Sequence, residues 1–95
     1  MAIGRGWGRV QPLDGRPAIS YPTSWTYRII CTREETVRAA VTEIVGPIQH
    51  RLENLGTSSA GRYQRLELVL EARDEAHRNE VFAALTRLSE VRFVL

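Results

Sequence analysis

Apolar and polar positions divide the chain into strand, helix, strand, strand, helix, strand. In Ser24-Trp-Thr-Tyr-Arg-Ile-Ile-Cys31, Trp25, Tyr27, Ile29 and Cys31 fall on one face, and Thr26, Arg28 and Ile30 on the other. Aromatic and β-branched residues at period two predict a half-buried strand. Pro22 just precedes it, where its missing N–H does least harm. Thr32-Arg-Glu-Glu35 then reads as a capping box, the Thr32 hydroxyl accepting from the Glu35 amide. Val37, Ala40, Val41, Ile44 and Val45 follow as an apolar helical stripe. Gly46-Pro47 ends that helix, because glycine can take the C′ position and proline cannot continue the ladder.

Residues 48–55 fit two patterns. Ile48, Leu52 and Leu55 could extend a helix, whereas Ile48, His50 and Leu52 alternate as in a strand. The Gly46-Pro47 break favours the strand. Gly56-Thr-Ser-Ser-Ala-Gly61 is a turn by composition. A strand over 62–72 follows, with Leu66, Leu68 and Leu70 on one face and Arg65, Glu67, Val69 and Glu71 on the other. Asp74 suits the N-cap of a second helix, whose stripe is His77, Val81, Ala84, Leu85 and Leu88. Val91, Phe93 and Leu95 form a last strand, with Arg92 and Val94 on its other face. With right-handed crossovers this order predicts an α+β fold, a ferredoxin-like β-α-β-β-α-β sandwich: a four-stranded antiparallel sheet with two helices on one face.

Composition adjusts this picture at the N-terminus. Residues 1–20 hold four of the seven glycines, two of the four prolines and few large apolar residues apart from Trp7 and Val10. They read as an N-terminal arm, flexible or docked through Trp7, ahead of a domain at 21–95. All 13 basic residues are arginine. The arm has three arginines against one aspartate, whereas residues 21–95 balance ten arginines with ten acids. The net charge of +2 therefore belongs to the arm, and the neutral domain argues against nucleic acid. The absence of lysine removes Schiff-base chemistry and a P-loop. Nothing approaches the run of about 20 apolar residues that crosses a bilayer, and no apolar stretch of a secretory signal follows the N-terminal charges. One cysteine, Cys31, precludes an intramolecular disulfide and suits a reducing compartment. A cytoplasmic protein is expected. Cys31, His50 and His77 lack metal-ligand spacing, so neither metal nor cofactor is expected.

Ile19-Ser-Tyr21-Pro22, Trp25-Thr-Tyr27-Arg-Ile-Ile, Ser58-Ser59-Ala-Gly61-Arg-Tyr63 and Val91-Arg-Phe-Val-Leu95 resemble the YbeD-like family of small bacterial proteins of unknown function. The resemblance runs from about residue 19 to the C-terminus, and Ser-Ser-x-Gly-x-Tyr is its most specific element. It implies the β-α-β-β-α-β fold, similarity to ACT-type regulatory domains, and a second strand just before Ser58. A glycine commonly closes the first strand of that family, and Cys31 stands there here. Cys31-Thr32-Arg33-Glu34 also lacks the glycine with which many ACT domains admit an amino acid.

Two surfaces are candidate sites. In the turn, Ser58, Ser59, Gly61, Arg62 and Tyr63 can gather amides, hydroxyls and a guanidinium around a small anionic ligand. Alternatively, the serines satisfy the turn and Tyr63 packs at the strand start. The second surface is the sheet face away from the helices, expected to carry Arg28, Ile30, Glu67, Val69, Glu71, Arg92 and Val94. It would contact a protein partner or a second copy, with Arg28 pairing Glu67 or Glu71. Trp25, Tyr27 and Phe93 are expected to face the helices, which removes the aromatic platform of sheet-type RNA binders. Ser58 and Ser59 lack a base, His50 and His77 lack a pocket partner, and Cys31 is expected to be a buried hydrophobe. The expected function is a non-enzymatic regulatory or interaction module acting by protein contact or small-ligand binding; the alternative is an RNA- or nucleic-acid-binding module using the Arg-bearing arm and the sheet.

Overall fold

The computed structural model describes residues 19–58 and 60–95; the arm reading for 1–20 lies almost wholly outside them. Six elements follow in the expected order: β1 (Thr23–Cys31), α1 (Glu34–Val45), β2 (His50–Thr57), β3 (Gln64–Ala72), α2 (Glu75–Thr86) and β4 (Val91–Val94). The sheet order is β2-β3-β1-β4, with every neighbouring pair antiparallel. This is the ferredoxin-like α+β arrangement.

The core forms where the period-two and helical patterns meet. Tyr27, Ile29 and Cys31 of β1 and Leu66, Leu68, Leu70 and Ala72 of β3 are buried. Val37, Val41 and Val45 of α1 cover them, with His77, Val81 and Leu85 of α2. Four-residue spacing puts each helical trio on one stripe. Helix-facing positions align across the sheet in rows such as Leu52–Leu68–Tyr27 and Asn54–Leu66–Ile29–Val94.

Local chemistry sets the helix ends. Asp74 caps α2, its carboxylate accepting the His77 amide at 2.7 Å. Gly46 closes α1 at φ 68°, and its N–H reaches the Thr42 carbonyl. The expected capping box at Thr32 does not form. The Thr32 hydroxyl and amide both donate to the Glu90 carbonyl, at 3.3 and 2.8 Å. The cap position passes to Arg33, which makes no side-chain cap bond. Glu34 instead takes Arg38 Nη2 at 2.6 Å and Asn54 Nδ2 at 2.7 Å, tying α1 to β2.

The last strand departs from the expected register. Cys31 pairs with Val91, but Ile30 pairs with Phe93 and Ile29 with Val94. One extra residue, Arg92, is accommodated at this bulge, which reverses the alternation beyond it. Val94, expected on the open face, packs against the core. Phe93, expected beneath the helices, turns to the open face and is 65% exposed. Period-two reading carries no signal for an inserted residue.

Candidate functional site

Cross-strand register builds the open sheet face in three rows. The first runs Arg51–Val69–Thr26, the second Glu53–Glu67–Arg28 and the third Gly56–Arg65–Ile30–Phe93. Glu71, opposite Ser24, continues β3 beyond them. Of the expected set, Arg28, Ile30, Glu67, Val69 and Glu71 share this face. Arg92 occupies the bulge, and Val94 lies on the other side. Phe93, Arg65, Arg51 and Glu53 complete the face.

The face carries charges of both signs. Arg28 Nε meets Glu67 at 2.9 Å, as its position directly opposite predicts. Arg51 Nε lies 3.5 Å from Glu53, which eases the direct opposition of Glu53 and Glu67. Arg65 lies over Gly56 and donates to the Leu55 carbonyl at 3.4 Å. Neither Arg65 nor Glu71 forms an ion pair with a described residue. Ile30 and Val69 are half-buried among these charges, and Phe93 stands out from them.

The expected turn begins later than Gly56, because Gly56 and Thr57 pair within the sheet, and the 58–63 turn that remains has a different chemistry. The Ser58 amide donates to the Tyr63 carbonyl at 2.8 Å, and the Gly61 amide to the Ser58 carbonyl at 2.9 Å. The Tyr63 amide donates to Ser58 Oγ at 3.2 Å. Three of the groups that would gather an anion are thus committed to closing the turn. Gly61 adopts φ 74°, the left-handed region that glycine enters freely. Arg62 is exposed. Ser59 lies outside the described residues.

The remaining reactive groups stand apart. Cys31 is fully buried, and burial pushes its thiol pKa up. His50 Nδ1 contacts the Ile48 carbonyl at 3.0 Å on the edge strand β2. His77 is buried, and its Nδ1 accepts the Arg73 amide at 3.1 Å. Among the described residues, no three His, Cys, Asp or Glu side chains converge as a metal cluster, and no helix is long and apolar enough to cross a membrane. A cluster not read from the sequence lies between β1 and α2. Arg78 stacks 4.4 Å from the Trp25 ring, and its carbonyl accepts the Tyr27 hydroxyl at 2.7 Å.

Comparison with known proteins places the chain among relatives without an assigned role. It is 32% identical over 82 residues to an uncharacterized protein of Helicobacter pylori strain J99, covering 84% of this chain and 93% of the relative. An uncharacterized Campylobacter jejuni protein, Cj0253, is 28% identical over 83 residues, covering 87% and 93%. The solution structure of H. pylori protein HP0495 superposes with a TM-score of 0.77 at 27% identity, covering 93% of this chain and 97% of that one. A second HP0495 solution structure gives 0.61 at 30% identity, covering 84% and 93%. The family described as "Protein of unknown function (DUF493)" matches residues 16–95. The chain therefore belongs to the DUF493 family.

Proposed function

We propose that this chain is a non-enzymatic interaction module whose open sheet face pairs with the same face of a second copy. The observation that carries the reading is the self-complementary pattern on β3. Arg65 and Glu71 mark opposite ends of the face, with Val69 between them and Ile30 and Phe93 alongside. Turning one copy end over end about the middle of β3 sets Arg65 of each copy over Glu71 of the other, Val69 over Glu67, and Ile30 beside Arg65 over Ser24 beside Glu71. Opposed charges then fix orientation and register. Strands of nine, nine, eight and four residues, about 4.8 Å apart and rising about 3.3 Å per residue, give roughly 480 Å² of projected face. That is the order of the ~800 Å² each partner contributes to a stable interface.

The non-enzymatic part rests on the separation of the reactive groups. No described serine or cysteine is hydrogen-bonded to a histidine, so no nucleophile–base pair is assembled. The YbeD-like resemblance is compatible with the DUF493 family and lends a regulatory role support by analogy.

Charge reversal tests the pairing. By sedimentation, the full chain is expected to dimerise at micromolar concentration. Arg65→Glu or Glu71→Arg alone is expected to weaken the dimer about tenfold, and the double reversal to restore it. A wild-type monomer throughout that range, or a double variant no better than either single one, overturns the reading.

Phe93 favours one alternative, a nucleic-acid surface in which it stacks on a base beside Arg65 and Arg92. A single exposed aromatic on a face with three arginines and three glutamates is a poor platform for that role. Salt-dependent binding of single-stranded RNA, lost in Phe93→Ala, would replace the dimer reading with this one.

A further inference from the structure

The two helices leave a groove of about 470 Å³ between them. Its apolar walls include Ile44, Ile48 and Val81, and it is also lined by Arg73, His77 and Glu80. His77 is 6% exposed, a buried polar side chain within an otherwise apolar core. Its Nδ1 accepts a hydrogen from the Arg73 amide, so that nitrogen carries no proton. The neutral ring must then hold its hydrogen on Nε2, as a donor. Among the described residues, none accepts from it. Buried donors are normally satisfied, and an unpaired one in a groove marks a place for an acceptor.

Two further features narrow the chemistry. Arg73 is exposed and forms no ion pair with a described residue, so a cationic group is available beside the histidine donor. The Glu80 carboxylate belongs to the same groove and disfavours a ligand carrying more than one negative charge. Beyond this polar end, the aliphatic walls suit a short hydrocarbon chain, and the volume lies within the range of small-molecule sites.

We propose that this groove binds a small aliphatic monocarboxylate. The carboxylate accepts from His77 Nε2–H and pairs with Arg73, while its hydrocarbon chain lies along Ile44, Ile48 and Val81. This site lies on the helix side of the sheet and is independent of pairing through the open face.

Nuclear magnetic resonance titration of the full ¹⁵N-labelled chain with 4-methylpentanoate tests the site. The amides of Ile48, His77 and Val81 are expected to shift, together with the His77 Nε2–H signal. Arg73→Gln, which keeps the backbone amide, is expected to weaken binding roughly tenfold. Ala84→Trp, which fills the groove without touching its polar groups, is expected to abolish it, with the β3 amides confirming the fold. The absence of groove shifts in wild type up to millimolar acid overturns the proposal. So does equal binding of the neutral isostere 4-methylpentanol, tighter binding of leucine through Glu80, or tighter binding of inorganic phosphate than of the acid.

Discussion

Tyr27 shows how one side chain couples core packing to pH. It is 2% exposed, and its hydroxyl donates to the Arg78 carbonyl. Burial pushes its pKa up to about 12 from 10.0, with nearby Arg78 opposing the rise. Because the folded value is raised, the folded chain retains the proton after the unfolded chain has lost it. The stabilisation is fully present below pH 10 and is lost as pH rises from there towards 12. Chemical denaturation should show a loss of about 2 kcal/mol across that window. Tyr27→Phe should flatten the alkaline loss while reducing stability below it by about 1 kcal/mol through the missing hydrogen bond. Cys31 belongs to the same buried layer, and a thiol held protonated there should resist alkylation in the native state. Rapid native labelling by iodoacetamide, with the spectrum of the fold unchanged, would contradict its placement.

Among the elements, the clearest sequence signals were those repeated over several residues. The leucines of β3 and the valines of α1 declared their faces because each pattern recurs two or three times within one element. Gly46-Pro47 likewise separated α1 from β2. At Gly46, an added Cβ meets no atom within 4 Å, but φ is 68°. Gly46→Ala should therefore destabilise by about 1–3 kcal/mol through backbone strain alone, measurable by urea unfolding. At Gly56, where φ is 133°, a Cβ would also meet Arg65 Nη2 at 2.9 Å. Gly56→Ala should thus displace that guanidinium from the open face. Single-residue events were not legible in this way. The bulge that turns Phe93 outward depends on β4 meeting β1, a contact more than 50 residues apart. The Thr32 hydroxyl was diverted by Glu90, whose carbonyl arrives only when the chain folds. Asn54 joins Glu34 to Gln64 at 2.7 and 3.1 Å across three elements, and no local motif announces that junction.

For the molecule as a whole, amphipathic patterning specifies which surfaces are buried, and charge distribution narrows what the remaining face can meet. Arg28, Ile30, Glu67, Val69 and Glu71 were readable as one surface because β1 and β3 alternate without interruption. Phe93 and the cross-sheet rows were not readable, since register between distant strands is set by packing and turn geometry. The groove beside His77 was also hidden, because its walls come from both helices and the loop between α1 and β2. In the sequence its histidine reads as one member of the helical stripe, without a pocket partner. Leu68, at the centre of the helix-facing layer and fully buried, carries the opposite side of the same sheet. Leu68→Ala should reduce stability by about 2–5 kcal/mol, whereas Phe93→Asp on the exposed face should change monomer stability by less than about 1 kcal/mol. That contrast separates a residue needed for folding from one the fold does not require.

Pairing through the open face is tested most directly by isotope-filtered nuclear Overhauser spectroscopy on a mixture of labelled and unlabelled full chains. The expected result is intermolecular contact between the Val69 methyls of one copy and the Glu67 methylenes of the other, weakened in Arg65→Glu. A dimer whose intermolecular contacts fall only on the helices, or a chain that gives none at concentrations where it sediments as a monomer, would contradict it.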